Sequence, residues 1–241
     1  MVSWILHMSD LHLGKNPALE RERLLGLAKW LEGQEFGVDH LVFTGDLIDA
    51  PTVLLSCVRK LKREYPDRFS KLRPVADTDA VLAQVEAAGP ECISLYNAQI
   101  REATLHSMEQ GGSLFCEFID RIGVERSHVI LCCGNHDRIR FAGEGSFDCG
   151  TDHRVDEEGA AAPFEAYDRL CRMVNSELSH FTQVYTRDGV SFVITNSNWR
   201  SPTRGESNCM CVNCGVLAQK LDELQKTAGF QRTGSLLVAH K

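Results

Sequence analysis

The chain of 241 residues lacks any apolar run near the ~20 residues that a membrane-spanning helix needs. The N-terminus is not expected to be a secretory leader. The N-terminal apolar stretch, Val2–Met8, has no basic segment before it and runs straight into Asp10. The ten cysteines are therefore expected as thiols in a reducing cytoplasm, and Cys132-Cys133 as buried thiols at the end of a strand. Positive charge is also short: 26 Lys and Arg against 33 Asp and Glu give a net charge of −7. That balance speaks against a broad basic surface for non-specific nucleic-acid binding. It leaves room for a nuclease whose metal ions supply the positive charge locally. No internal repeat or low-complexity tract interrupts the chain, and its length and 43% hydrophobic content suit one large α/β domain.

Five short apolar runs have the length and β-branched content of buried strands: Val2–Met8, Leu41–Phe43, Val129–Leu131, Phe192–Ile194 and Leu236–Val238. Between them lie helical patterns. Asn16-Pro17 reads as an N-cap followed by proline at the first helical position, with Leu24, Leu27, Ala28 and Leu31 as the stripe of a helix reaching about residue 32. Residues 52–64 read as a basic amphipathic helix with a solvated Arg and Lys face. Residues 66–127 read as an inserted helical segment beside the sheet, broken at Pro66, Pro74 and Pro90. Residues 138–163 read as a long acidic loop, Pro163 as the start of another helix, and Arg187-Asp188-Gly189 as a hairpin turn.

Each strand runs into residues that hold or serve a metal: Asp10 and His12, Gly45-Asp46, Gly134-Asn135-His136-Asp137, Asn196, and His240. In open α/β sheets, ligands gather beyond the carboxyl ends of the strands. Asp-X-His in an extended segment points both side chains the same way, toward one ion. Glycine before Asp46 and before Asn135 allows close approach of backbone and short polar side chains to a ligand. His7, inside the first strand, is expected as a packing histidine, and Asp137 as a support of its turn through backbone hydrogen bonds.

Asp10-Leu11-His12, Gly45-Asp46-Leu47-Ile48-Asp49, Gly134-Asn135-His136-Asp137 and the strand-end His240 resemble, in order and over almost the whole chain, the motifs of the calcineurin-like metallophosphoesterase family. The resemblance implies a four-layer α/β/β/α sandwich with a helical insertion and a dinuclear metal site. It implies Asp10 and His12 on one ion, Asp46 bridging both, and Asn135 and His240 on the second. The ions are two divalent cations, manganese first, with iron, zinc, nickel or magnesium as alternatives. Two-metal hydrolysis of a phosphoester follows, with His136 protonating the leaving oxygen and Asp49 orienting His136. For Asp49, a helix N-cap is the competing and compatible role.

The family's closing Gly-His-X-His is absent before Lys241. The chain is therefore expected to be a C-terminally incomplete domain over 1–241, binding metal less tightly than a longer parent with further C-terminal domains. Ala50-Pro51 after Asp49, where the serine/threonine phosphatases carry Arg-Gly, and Asp137 in place of glutamate make the chain more similar to the phosphodiesterase and nuclease branches. The expected substrate is a phosphodiester, in nucleic acid or a cyclic nucleotide. Phosphomonoesterase action and a non-catalytic regulatory module are the alternatives. Asn196 and Asn198 are candidate substrate contacts. Cys209, Cys211 and Cys214 read first as free thiols in a loop; the alternative is a zinc site completed by Cys149 or His153.

Overall fold

The computed structural model describes residues 4–74, 77–143, 161–195, 214–226 and 234–240. Among them are seven α-helices and two three-stranded sheets, so the chain is mixed α/β. The first sheet contains β1 (Ile5–Met8), β2 (His40–Phe43) and β3 (Val129–Leu131), in that order and all parallel. Met8 stands opposite Phe43 and Phe43 opposite Leu131, so the three strands finish level at one edge. The second sheet contains β4 (Gln183–Arg187), β5 (Val190–Ile194) and β6 (Gly234–Val238). β4 and β5 form the antiparallel hairpin expected around Asp188-Gly189, and β6 runs parallel to β5. Asp188 and Gly189 both take positive φ, 49° and 77°, which is the backbone a two-residue hairpin turn demands.

The helices begin where the local chemistry allows. α1 spans Pro17–Glu32, and the Asn16 side chain accepts from Leu19 N–H at its start. α2 spans Ala50–Glu64, two residues earlier than its hydrophobic pattern suggests, because Asp49 caps it and Pro51 is tolerated in a first turn. After a short α3 (Pro66–Phe69) and α4 (Thr78–Ala87), α5 runs unbroken over Pro90–Ile122 and ends at Gly123 in the left-handed conformation. The helical content expected for 66–127 is thus present, dominated by one helix of 33 residues, about 50 Å long. α6 spans Ala161–Val174, with Pro163 inside its first turn rather than at its start, and α7 spans Cys214–Lys226. No helix among the described residues is long and apolar enough to cross a membrane.

α5 forms the back of the region that matters most. A Cβ on its Gly111 would sit 3.4 Å from Ile48 and 3.6 Å from Leu13, and one on Gly112 would sit 3.1 Å from Met173 of α6. The glycine pair therefore lets α5 press α6 on one side and the loops after β1 and β2 on the other. Phe115, Phe118 and Ile119, all fully buried, continue that contact into the core with Phe43. The second sheet meets the first through the ring of Phe192, 5.4 Å from that of His40, and through the Tyr185 hydroxyl, which donates to Ser127 O at 2.6 Å. Cys132 and Cys133 are buried free thiols as expected, and Cys132 Sγ lies 3.4 Å from Thr195 O at the end of β5. Burial pushes the Cys132 thiol up to about 12. His7 is not a core residue: it is exposed on β1, with Nε2 3.0 Å from Thr44 Oγ1, because β1 is an edge strand with an open face.

His40 is fully buried, and neither ring nitrogen has a hydrogen-bond partner. Burial, and then the charge of His128, lower its pKa; Asp188 and Asp39 oppose this more weakly. The folded state thus holds the ring neutral, while the unfolded chain protonates it near 6.5. Its contribution is intact above that pH and is lost as pH falls toward the folded value. Replacing His40 with Phe should flatten the fall of melting temperature between about pH 7 and about pH 5. An unchanged acid slope in His40→Phe would show that the acid-labile core group is elsewhere.

Candidate metal centre

Because the parallel strands finish level, the segments after β1, β2 and β3 lie side by side. Asp10 N–H donates to Gly45 O at 3.0 Å, His12 N–H to Asp46 O at 3.0 Å, and Leu13 N–H to Leu47 O at 2.8 Å. These bonds hold Asp10, His12 and Asp46 at φ of 56°, 46° and 58°. Such left-handed backbone costs an L-residue on the order of 1 kcal/mol or more, and Asp and His tolerate it better than most. Asp10 and His12 therefore do not share a direction through strand alternation, as an extended segment would have it. They are turned toward one point by two left-handed residues, with His12 Nε2 3.7 Å from Asp10 Oδ1.

The two glycine turns meet backbone to backbone. A Cβ on Gly45 would lie 2.4 Å from Gly134 N, and one on Gly134 would lie 2.1 Å from both Asp46 N and Asp46 Oδ1. Glycine is required at both positions to let one turn touch the other; the sequence pattern had suggested approach to a ligand. Asp137, fully buried, fastens the two turns together. Its Oδ2 accepts from Asp46 N–H and Gly134 N–H, and its Oδ1 from Leu47 N–H, each at 2.9 Å. Burial and the Asp46 charge push its pKa up to about 6 against these three hydrogen bonds. The supporting role expected for Asp137 is thus present, and it spans two turns rather than one.

Asp46 sits at the centre. Its Oδ1 accepts from His136 N–H at 2.9 Å. Its Oδ2 lies 3.9 Å from His12 Nε2 and 3.4 Å from His240 Nε2. Burial raises its pKa, but the His240 and His136 hydrogen bonds and both histidine charges outweigh burial and hold the carboxyl below its ordinary range. His240, two residues beyond β6, reaches in from the second sheet. Its Nδ1 is 2.5 Å from Thr44 O and its Nε2 is 3.0 Å from Asn135 Oδ1. Burial lowers the His240 pKa, but the Asp46 hydrogen bond and charge and the Thr44 carbonyl reverse this and raise it. A backbone carbonyl on Nδ1 selects the tautomer that leaves Nε2 to act as a ligand, the usual arrangement around a metal-binding histidine. The part played by Thr44 has no sequence signature, since every residue carries a carbonyl.

Asp10, His12, Asp46, Asn135 and His240 are thus brought to one place. Two groups of three donors have ligand atoms within 4.8 Å of one another: Asp10, Asp46 and His240, and His12, Asp46 and His136. Two ligands each about 2.1 Å from one ion stand roughly 3.0–3.4 Å apart. The distances of 3.4, 3.7 and 3.9 Å around His240, Asp10, His12 and Asp46 are close to that spacing. The mixed carboxylate and imidazole donors suit a divalent first-row ion.

His136 lies against His12 edge to face, ring centroids 4.6 Å apart, and its buried Nδ1 has no hydrogen-bond partner. Burial lowers its pKa; the Asp46 and Asp49 charges raise it, and the His12 and His240 charges lower it, so the net direction is down. The expected pairing of Asp49 with His136 is not formed among the described residues. Asp49 instead caps α2, accepting from Thr52 N–H at 3.1 Å and from the Thr52 hydroxyl at 2.6 Å, and its Oδ1 meets Lys15 Nζ at 3.0 Å and His12 Nδ1 at 3.8 Å. The cap geometry turns the carboxylate toward α2 and the loop after β1. Asn196, Asn198, Cys209 and Cys211, with Cys149 and His153, lie outside the described residues, and Cys214 is described only as the first residue of α7.

No family model matches the chain, and no curated protein matches it.

Asp137→Asn should separate the clamp from the ligands. An amide presents one acceptor oxygen, so at least one of the Asp46, Leu47 and Gly134 N–H groups loses its partner. A buried donor left unpaired costs about 1–3 kcal/mol, and each kcal/mol is worth roughly 2–4 °C in melting temperature at this size. A melting temperature equal to that of the parent would show that Asp137 does not hold the turns together.

Proposed function

We propose that the chain is a metal-dependent phosphoester hydrolase of the calcineurin-like metallophosphoesterase type, acting on phosphodiesters, with two divalent ions, manganese first among them. The observation that carries this is the gathering of Asp10, His12, Asn135 and His240, from the ends of three strands spread over the chain, about Asp46 at the end of a fourth. The ordered motifs carrying these residues add the family reading, and with it the finer architecture of a four-layer sandwich. When bound, the ions supply a Lewis-acid clamp on phosphoryl oxygens and acidify water at neutral pH.

The chain's own residues do the rest. Asp46 is shared between the two donor groups, so its carboxylate would be the ligand common to both ions. By the family resemblance Asp10 and His12 would hold one ion and Asn135 and His240 the other, whereas the donor atoms nearest one another group Asp10 with Asp46 and His240, and His12 with Asp46 and His136. The Thr44 carbonyl fixes the His240 ring. His136 is anchored through its own N–H on Asp46, which places its ring beside the donor cluster. In this reading His136, held beside the donor cluster, gives a proton to the leaving oxygen. Buried free thiols such as Cys57, Cys132, Cys133 and Cys171 suit a reducing cytoplasm.

The test uses manganese-loaded protein with a bis-nitrophenyl diester, a nitrophenyl monoester and a diester with a poor leaving group. Asp46→Ala should lose metal and activity together. His136→Ala should keep its metal and slow the poor-leaving-group diester by about 10²–10⁴-fold, with a smaller loss on nitrophenolate, which departs without a proton. Much faster turnover of the monoester than of the diester would replace the phosphodiesterase with a phosphatase. Metal uptake with no hydrolysis of any ester would favour a regulatory module.

A further inference from the structure

Asp49 and its partners raise a question that the metal centre does not answer. Its carboxylate is almost completely buried, yet the group it pairs with, Lys15, has a side chain 64% exposed. The Asp49 side chain is already fixed by both donors of Thr52. It therefore needs no lysine to hold its position. Lys15 is itself placed with care. Glu20 accepts from Gly14 N–H at 2.8 Å and from Asn16 N–H at 2.7 Å, so one carboxylate brackets the residue on both sides. Gly14 takes φ of 117°, which permits the tight bend before it, and Asn16 caps α1 directly after it. The backbone of Lys15 is thus pinned at the rim while its ammonium reaches in.

One side chain separates that ammonium from the metal-ligand carboxylates. His12 Nδ1 is 3.8 Å from the Asp49 oxygen that Lys15 contacts, and His12 Nε2 faces Asp10 and Asp46. An ammonium has three donors on a flexible stem, and Asp49 takes one of them. The arginines that line the cleft beside His136 are engaged elsewhere: Arg138 lies over the Phe164 ring at 5.8 Å, and Arg140 meets Asp79 at 3.3 Å.

We infer that Lys15 is a phosphate-positioning residue, its ammonium held on Asp49 at the mouth of the site so that its remaining donors meet a non-bridging phosphoryl oxygen. This rests on the proposed phosphoester chemistry and adds a substrate contact to it. Asp49 then serves as the anchor for Lys15, and its burial keeps that anchor from rotating into solvent.

The test is calorimetric titration of inorganic phosphate into the protein, with and without manganese, for the parent, Lys15→Gln and Lys15→Arg. Lys15→Gln should weaken phosphate binding roughly tenfold, the worth of about one charge-assisted hydrogen bond. Lys15→Arg should restore most of it, and manganese affinity should be unchanged in both. Equal phosphate binding by the parent and Lys15→Gln overturns the inference, as does a parent that binds no phosphate. A Lys15→Gln protein that loses phosphate only in proportion to lost manganese or stability makes Lys15 a structural counter-ion and also overturns it. Lys15-dependent phosphate binding without hydrolysis of any ester supports the inference while defeating the hydrolase assignment.

Discussion

Gly45 and Gly134 meet with no room for a single carbon between them, and the Asp46 carboxylate occupies the space beside their contact. Every other feature of the site depends on that approach. It brings the turn after β2 onto the turn after β3, so that Asp46 receives the His136 N–H and Asp137 reaches back to three N–H groups. It also sets the ledge on which the loop after β1 lies, through hydrogen bonds from Asp10, His12 and Leu13 to Gly45, Asp46 and Leu47. Three of the four non-glycine residues with positive φ among the described residues are the candidate ligands Asp10, His12 and Asp46. Local backbone cost is concentrated where the side chains must converge, and the parallel sheet and α5 behind it supply the rigidity that maintains it.

The electrostatics follow from the same geometry. Asp46, Asp49 and Asp137 are all buried within a few residues' reach of one another. Each is stabilised differently. Asp137 is surrounded by backbone N–H groups, Asp49 by a helix start and an ammonium, and Asp46 by histidines. Asp46 takes its support chiefly from histidines that are themselves in the candidate donor groups. A buried carboxylate whose compensation comes from exchangeable imidazoles is the arrangement in which a cation replaces protons with the least disturbance.

Much of this was legible in the sequence, for identifiable reasons. Strand-end Asp10, Asp46 and Asn135 could be anticipated to converge because the parallel strands β1, β2 and β3 finish level at one edge. His240 carried the same strand-end signal but joins them from the second sheet. Asn16-Pro17 marked α1, and Asp188-Gly189 marked the hairpin, because capping and turn residues act locally. What the sequence hid was non-local. His7 looked like a core or sheet-packing histidine, but it is exposed on the edge strand of the described sheet. Asp49 looked like a partner for His136, yet its own helix cap and Lys15 claim it. The glycines looked like ligand approaches, whereas each makes room for the other turn. The unbroken course of α5 through Gly111-Gly112 was equally hidden, since two glycines in a helix are explained only by the neighbours they admit, Leu13 and Ile48 on one side and Met173 on the other.

The central claim is that Asp46 is the shared ligand of a divalent-metal centre. Anomalous diffraction at the manganese edge, from crystals grown with manganese, measures this directly. The account predicts a peak within about 2.0–2.3 Å of an Asp46 carboxylate oxygen, flanked by Asp10 and His12 or by Asn135 and His240, with the His240–Asn135 contact opened where an ion enters. A protein that takes up manganese only at other residues, with His240 Nε2 still on Asn135 Oδ1, would contradict it.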